Sequence, residues 1–214
     1  DKNVPVGFHD VRVSGGRFGV TNVRSFAVGD LPEIVSNGGT GLENAAEVKL
    51  GTIVNGQAPS RNYAYYKVGL KKGQRVIVSC LARELDSKLE PVLIVKSSSG
   101  LELERSRSGE PIDFTPVADG DYYIGLHDFI YGGGAGHVYR LSIAERPHID
   151  FVIPPAGEPG KSGKFTLYGR NLPGGIDSGM VLEGKPLQKQ EVTINLPGDA
   201  KSRISLAGTS PVGP

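Results

Sequence analysis

The sequence predicts an all-β protein whose main part is an antiparallel β-sandwich or jelly roll. Short segments in which apolar and polar residues alternate follow one another along the chain, as in strands with one buried face. Turns rich in glycine separate these segments, and the 214 residues include 31 Gly and 15 Pro, which disfavour helices. At about 100–150 residues per domain, this length allows one large domain or two small ones.

The first elements predict a hairpin followed by a linker. Residues 9–13 alternate, Gly15 and Gly16 form a turn signal, and residues 19–28 are again extended in pattern. Residues 36–39 (SNGG) have the composition of a loop. Residues 42–48 contain the only segment with a helical pattern, and we expect no more than a short turn there.

The central part of the chain predicts a succession of strands. Tyr66, Val68 and Leu70 share one face of the segment 63–70, and the turn at 71–74 leads into the most apolar segment, 75–81. Further strands are predicted at 91–96, 101–104, 121–127 and 137–144. The glycine run 132–136 separates the last two, and we expect it to form a flexible hairpin loop because it leads into a strand and lacks a phosphate-binding pattern.

A domain boundary is predicted near Arg146 and Pro147, where the strand pattern is interrupted. Beyond it, residues 149–153, 164–168, 190–196 and 203–206 have extended patterns. Residues 147–214 are fewer than the roughly 100 residues of a complete immunoglobulin-type sandwich. We therefore expect only part of such a module after the boundary.

Ordered motifs between residues 32 and 145 resemble the bacterial pre-peptidase C-terminal domain, in the version found in large exported planctomycete proteins. The motifs are KGQRV at 72–76, LEPVL at 89–93, DFTP at 113–116 and ADGDYY at 118–123, followed by Asp128, the glycine pair 132–133 and YRL at 139–141. The resemblance implies a β-sandwich over residues 31–146. It also implies an origin in a longer chain that is exported to the cell envelope or secreted.

The flanking segments resemble immunoglobulin-like modules of the IPT/TIG type. Residues 1–30 carry GFHDVRV at 7–13, GVTN at 19–22 and FAV at 26–28, which resemble the end of such a module. Residues 147–214 carry PHI at 147–149 and GRNL at 169–172, which resemble its beginning. Because each piece alone would leave apolar surface exposed, we expect the two ends to pair into one composite sandwich, within one chain or between neighbours.

The resemblance implies a non-catalytic binding or spacer module that presents loops to a protein or polysaccharide at the cell surface. Neighbouring domains of the parent chain are further expected partners, and residues 1–10 lack the apolar segment of a signal peptide. The alternative is an accessory domain that assists secretion or maturation of a linked peptidase. A net charge of +1 argues against nucleic-acid binding, and no stretch has the roughly 20 apolar residues of a membrane span.

The residues that could support catalysis do not form a recognisable set. The four histidines lack zinc-ligand spacing, and neither HExxH nor GxSxG occurs. His127 and His137 lie on predicted strands, where we expect half-exposed positions. Cys80, the single cysteine, lies in an apolar segment and is expected to be a buried core residue. An independent enzyme is therefore the least favoured of the three functions, and no cofactor is expected.

Asp128, Phe129 and Tyr131 are the candidate ligand-binding residues. Exposed aromatic rings on sandwich loops can stack on sugars or pack against a protein partner. The structural alternative is that one ring closes the end of the sandwich, with Asp128 stabilising the turn. The absence of Trp disfavours a carbohydrate ligand.

Calcium binding is a further expectation of the resemblance, since relatives such as the collagen-binding modules of clostridial collagenases bind calcium through carboxylates near the N-terminal linker. Here that linker reads SNGG at 36–39, without an acid, and Glu90 stands where the family usually has Asp. Both departures argue against calcium, which requires six to eight oxygen ligands. The remaining metal candidates are Asp113, Asp119 and Asp121, although Asp-Gly-Asp is also ordinary turn chemistry.

Overall fold

The computed structural model describes residues 4–107 and 109–198. The chain divides into two compact units, Asp1–Glu145 and Arg146–Pro214. Regular structure is almost entirely β, with three short 3-10 turns. The all-β prediction is confirmed.

The first unit contains twelve of the described strands. They are β1 (Gly7–Val11), β2 (Arg24–Val28), β3 (Glu33–Val35), β4 (Ala46–Glu47), β5 (Thr52–Gln57), β6 (Ala64–Leu70), β7 (Val76–Leu81), β8 (Pro91–Lys96), β9 (Glu102–Ser106), β10 (Ile112–Phe114), β11 (Gly120–Asp128) and β12 (Val138–Ala144). The 3-10 turns lie at Gly16–Phe18, Leu42–Asn44 and Arg83–Leu85. The second unit contains β13 (His148–Ile153), β14 (Ser162–Arg170), β15 (Ile176–Leu182) and β16 (Lys185–Asn195).

Two five-stranded sheets form the sandwich of the first unit. One has the order β10-β7-β12-β5-β3 and the other the order β4-β6-β11-β8-β9. All pairs are antiparallel except β3 with β5 and β4 with β6. Side chains of both sheets belong to a single buried cluster, which includes Val78 and Leu141 from the first sheet and Leu93 and Leu126 from the second.

Strict alternation in the sequence explains which face each strand buries. Tyr66, Val68 and Leu70 of β6 point into the core as predicted, and Val76 and Val78 of β7 oppose them from the other sheet. Gly73 has a φ of 77° in the predicted turn before β7, a conformation that glycine adopts without steric cost. The turn and the central strands therefore agree with the sequence-based expectation.

A buried tyrosine pair and an ion pair stabilise the part of the sandwich near β3. The hydroxyls of Tyr66 and Tyr139 hydrogen-bond to each other, and Tyr66 Oη also donates to the carbonyl oxygen of Ser36 at 2.8 Å. Burial raises the pKa of Tyr66 to about 12, so that the pair stays neutral. Arg140 of β12 donates to both carboxylate oxygens of Glu33, at 2.7 and 2.6 Å, and thereby attaches β3 to the sheet.

The N-terminal segment forms the predicted hairpin. β1 and β2 pair antiparallel, from Gly7 opposite Val28 to Val11 opposite Arg24. Phe18, Val20 and Phe26 in this segment are largely exposed. The two strands make a sheet of their own in the part of the chain that the structure describes.

The second unit is a four-stranded antiparallel sheet of order β13-β14-β16-β15. Phe165, Leu172 and Leu187 are its buried apolar residues among those described, and most of its remaining apolar side chains are partly or largely exposed. The immunoglobulin-like character of the terminal segments and their pairing into one composite sandwich stay predictions, as do the domain limits 1–30, 31–146 and 147–214. The extended segment predicted at 203–206 lies outside the described residues.

One local expectation is confirmed in part and another is wrong. The helical pattern at 42–48 gives only the 3-10 turn Leu42–Asn44, and Ala46 and Glu47 form strand β4 beside β6. The glycine run 132–136 is not a hairpin loop, because β11 and β12 belong to different sheets. It packs against the preceding chain instead, where a Cβ on Gly133 would lie 2.3 Å from the Ser60 amide nitrogen.

Candidate functional site

Asp128 ends β11 and organises the loop that carries both candidate aromatic residues. It is 2% exposed. Its Oδ1 accepts the amide of Glu90 at 2.9 Å, and its Oδ2 accepts the amides of Ile130 at 3.2 Å and Gly132 at 2.9 Å. Burial opposes ionisation, but these three amide donors hold the pKa of Asp128 below its ordinary value. Asp128 is thus placed to support the loop, as turn chemistry suggested, with both carboxylate oxygens already occupied.

Tyr131 lies on the outer face of the sheet β4-β6-β11-β8-β9, stacked on His127. The two ring centroids are 4.3 Å apart and the planes differ by 12°. Tyr63 contacts the same pair edge-on, at 4.6 Å from His127, and its hydroxyl is 3.0 Å from that of Tyr131. This hydrogen bond, followed by partial burial, raises the pKa of Tyr63 to about 12. The Tyr63 phenol is therefore neutral near pH 7.

Tyr65 extends this arrangement across the sheet. Its ring stacks on Tyr63, with centroids 5.2 Å apart, and Lys96 Nζ lies 5.5 Å from the Tyr65 ring centroid. Gly125 faces Tyr65 across the β6–β11 pairing, and a Cβ there would lie 2.8 Å from Tyr65 Cε1. The absence of a side chain at Gly125 therefore lets the tyrosine ring rest on β11.

Arg105 of β9 supplies positive charge beside the rings. Its guanidinium binds both carboxylate oxygens of Glu102, at 2.7 and 2.6 Å, and lies close enough to interact electrostatically with Tyr63 and Tyr131. We call Tyr63, Tyr65, Arg105, His127 and Tyr131 the aromatic patch. The patch offers π-faces, hydroxyl groups and one guanidinium, which suit stacking and hydrogen bonding to a ligand.

His127 is, like Tyr65, a buried member of the aromatic patch, and the sequence-based expectation of a half-exposed position for it is wrong. It is 4% exposed, its Nδ1 contacts the Asp128 carbonyl oxygen at 2.8 Å, and its Nε2 has no hydrogen-bond partner among the described residues. Loss of hydration lowers the pKa of His127, and the charge of Arg105 acts in the same direction. Neutral His127 is therefore the form that this environment favours.

Phe129 lies on the other side of the same loop. It is 55% exposed, and it lines a cavity of about 400 Å³ together with residues from β7, from β8 and from the 3-10 turn Arg83–Leu85. Tyr131 is 40% exposed. The loop thus presents one ring to the aromatic patch and the other to the cavity. Neither ring is buried as a plug of the sandwich.

Each of the three candidate calcium ligands contacts a different basic residue or pair of residues. Asp113 is buried and receives two hydrogen bonds from the Arg75 guanidinium. Asp119 accepts the Lys72 amide at 2.7 Å and Lys71 Nζ at 3.3 Å, and these contacts lower its pKa. Asp121 lies 3.9 Å from Lys67 Nζ. No three or more His, Cys, Asp or Glu side chains in the described part of the chain are grouped to hold a metal ion.

Cys80 is buried as expected, and burial raises the pKa of its thiol well above the ordinary range. Such a thiol is a poor nucleophile at neutral pH, because the reactive form is the thiolate. Within residues 4–107 and 109–198, no helix has the length and hydrophobicity to cross a membrane.

Sequence reasoning identified Tyr131 but missed Tyr63, Arg105 and His127. The alternation of side-chain direction along a strand could have identified some of these residues. His127 follows the inward-facing Leu126, so it must point outward, as does Tyr65 beside the inward-facing Tyr66. The approach of Arg105 to the rings follows from the β8–β9 register, which no local pattern specifies.

Comparisons with known proteins find solved structures that are similar to part of this chain at low identity. No protein-family model matches the chain, and no curated protein matches it. The solved pre-peptidase C-terminal domain of a collagenase from Bacillus anthracis is 15% identical, with a TM-score of 0.38, and the match covers 54% of this chain and 99% of that domain. A periplasmic inhibitor of g-type lysozyme from Aeromonas hydrophila is 14% identical, with a TM-score of 0.36, over 52% of this chain and 98% of the inhibitor.

Proposed function

We propose that this chain is a non-catalytic binding module and that the aromatic patch is its contact surface. The observation that supports the proposal is the stack of Tyr131 on His127, joined by Tyr63, on the outward face of a sheet. A ring that is fixed in place before binding loses little conformational entropy when a ligand stacks on it. Tyr and Arg are also the residue types that are enriched where interfaces gain most of their binding energy.

The proposed ligand is a protein or polysaccharide outside the cell, and the proposed setting is a longer exported chain. Both ligand classes present surfaces that can stack on tyrosine while their polar groups reach the Tyr63 and Tyr131 hydroxyls. The buried carboxylate of Asp128 supports this role indirectly, because it fixes the amides of Ile130 and Gly132 on either side of Tyr131. The patch is thus held by the sandwich, and the ligand need not organise it.

Tyr131→Ala tests the proposal directly. Arrays of extended peptides and of oligosaccharides first identify a probe that binds the intact chain. We expect Tyr131→Ala to weaken binding of that probe about tenfold or more, since truncating an anchoring tyrosine at an interface costs roughly 2 kcal/mol. Tyr131→Phe should retain most of the stacking and lose only the hydroxyl contribution. Isothermal titration measures both.

The control is Phe18→Ala, which removes an exposed aromatic ring of the N-terminal segment that is not part of the aromatic patch. It should leave the affinity unchanged. If Tyr131→Ala binds the probe as tightly as the unmodified chain while remaining folded by thermal unfolding, the patch is not the contact surface.

A further inference from the structure

Two basic side chains border the aromatic patch without an acidic partner. Lys96 Nζ lies 5.5 Å from the Tyr65 ring centroid, and the exposed Arg61 donates its backbone amide to the Tyr131 carbonyl oxygen at 2.9 Å. Neither Lys96 nor Arg61 forms an ion pair with any residue that the structure describes. Both charges are therefore available to a ligand that lies on the patch.

The charges along β8 and β9 beside the patch are also mainly positive. Arg105 binds both carboxylate oxygens of Glu102, at 2.7 and 2.6 Å. These hydrogen bonds lower the pKa of Glu102 most, and the charges of Lys96 and Arg107 act in the same direction. Glu104, the next acid of β9, is paired with an inward-facing residue of β8 and so lies on the other face of the sheet. One carboxylate thus faces three cations on this side of the patch.

Tyr131 supplies an open aromatic surface next to these charges. One face of its ring is stacked on His127, and yet the ring is 40% exposed. Tyr63 meets this stack from the side, since its centroid is 4.6 Å from that of His127 and 5.9 Å from that of Tyr131. It therefore leaves the far face of the Tyr131 ring uncovered, and a ligand can stack there.

We propose that the aromatic patch binds an acidic polysaccharide, with a uronic acid ring stacked on Tyr131 and carboxylates paired with Arg61 and Lys96. This ligand class rests on the proposed function, since it concerns the same surface. A pyranose ring presents a flat face of C–H groups, and a uronic acid carries its carboxylate at the edge of that ring. One sugar unit therefore supplies both the stacking surface and the negative charge.

Other polymers would use only part of the surface. Asp and Glu side chains lack a flat apolar face, so an acidic peptide would engage the cations and leave Tyr131 without a stacking partner. A neutral polysaccharide would engage the ring and leave Arg61 and Lys96 unpaired. Single-stranded nucleic acid offers both bases and phosphates, but its binding depends on many cations that replace counterions, and the net charge of this chain is only +1.

The test titrates the full chain with oligogalacturonic acid and with the same oligomer after methyl esterification of its carboxyl groups. The two ligands share their sugar rings and differ in charge. We expect the ester to bind about tenfold more weakly or worse, because a hydrogen bond to a charged group contributes at least the roughly 1.4 kcal/mol that corresponds to tenfold. The affinity for the acid should also fall as salt is added, since salt screens exposed charges.

Lys96→Gln and Arg61→Gln should each lower the affinity for the acid severalfold and leave the affinity for the ester unchanged. Lys49→Gln makes the same change at an exposed lysine outside the patch and should alter neither affinity. Tyr131→Ala should weaken the binding of both oligomers, because it removes the stacking surface. Thermal unfolding checks that each variant is folded.

Equal affinity for acid and ester, with both weakened by Tyr131→Ala, would overturn the acidic polysaccharide and leave the patch as the contact surface. Absence of binding by both oligomers would also overturn it. Tighter binding of polyglutamate or of oligothymidylate would assign the cations to an acidic protein or to nucleic acid instead. If Tyr131→Ala left the affinity for every probe unchanged, the proposed function itself would fail.

Discussion

The two faces of the sheet β4-β6-β11-β8-β9 are buried in different ways. The inner face presents aliphatic residues such as Leu93 and Leu126, which are fully buried against the second sheet. On the outer face, Ile94 lies outside the buried core cluster, and yet it is only 1% exposed. Neighbouring residues of one strand are thus buried by a packed layer on one side and by individual side chains on the other.

The difference shows that a sheet face can be covered without a second layer of regular structure. Tyr65 lies on Gly125, and Tyr63 and Tyr131 enclose His127. Long basic side chains such as Arg105 add apolar methylene groups while their charged ends stay near solvent. Such a cover consists of separate side chains, each of which can also face a ligand. We therefore expect residues of the inner face to contribute to stability alone, and residues of the outer face to contribute to both stability and ligand binding.

The sharpest test of this comparison is the adjacent pair Leu93→Ala and Ile94→Ala. Because both side chains are almost fully buried, we expect each substitution to lower the free energy of unfolding of the first unit by about 2–5 kcal/mol. Hydrogen exchange of the β11 amides under native conditions measures this value. A loss below about 0.5 kcal/mol for Ile94→Ala, the level of an ordinary surface substitution, would mean that the outer cover is open in solution.

Gly125→Ala should have a smaller effect, confined to the outer face. The added methyl group would lie 2.8 Å from Tyr65 Cε1, so the ring must move off β11. We expect the free energy of unfolding to fall by about 1–3 kcal/mol, as at other overpacked sites. The NMR signals of the Tyr65 ring should also change their chemical shifts.

Gly69→Ala is the matched control for Gly125→Ala. Gly69 lies on β6 of the same sheet, and a Cβ there would meet only Asp121 Oδ1, at 3.8 Å. This substitution should be neutral or stabilising by a few tenths of a kcal/mol, since alanine restricts the unfolded chain. Equal losses at the two positions would show that the Tyr65 contact does not explain the effect of Gly125→Ala.

The smallest expected effect is a pH dependence from His127. Its pKa is lowered in the folded state, so the unfolded chain binds the proton more readily. This contribution to stability is present above the unfolded pKa of about 6.5 and is lost as the pH falls from there through the folded pKa. His127→Phe should remove that loss below about pH 6.5, whereas His148→Asn, in the second unit, should not. An unchanged slope in His127→Phe, measured by thermal unfolding of the first unit, would contradict the assignment.

The sequence was informative where alternation is long and uninterrupted. β6, β7, β8 and β11 were predicted within one or two residues, because each alternates or is continuously apolar between clear turns. β5 was not recognised as a strand, since its Asn55-Gly56 pair is a typical turn signal. In the structure a Cβ on Gly56 would meet the Ser36 carbonyl oxygen at 2.3 Å, so this glycine permits close packing.

The candidate site was only partly predictable for a related reason. Tyr131 could be identified as an aromatic residue in a glycine-containing loop, a local feature of the sequence. Arg105 and His127 lie near it only because β9, β8 and β11 are neighbours in one sheet with a particular register. Strand order of this kind depends on which strands meet across the core, and local propensity does not encode it.

The outermost strands of the sandwich bear on how the protein behaves when it is crowded. β10 and β3 border one sheet and have three residues each, while β4 and β9 border the other and have two and five. β9 also carries Glu102, Glu104 and Arg105, and Arg140 holds β3 against β5. Because these edge strands are short or charged, a strand of another molecule can form few backbone hydrogen bonds with them. The sandwich is therefore built to resist edge-to-edge aggregation, and many copies can stand close together without exchanging strands.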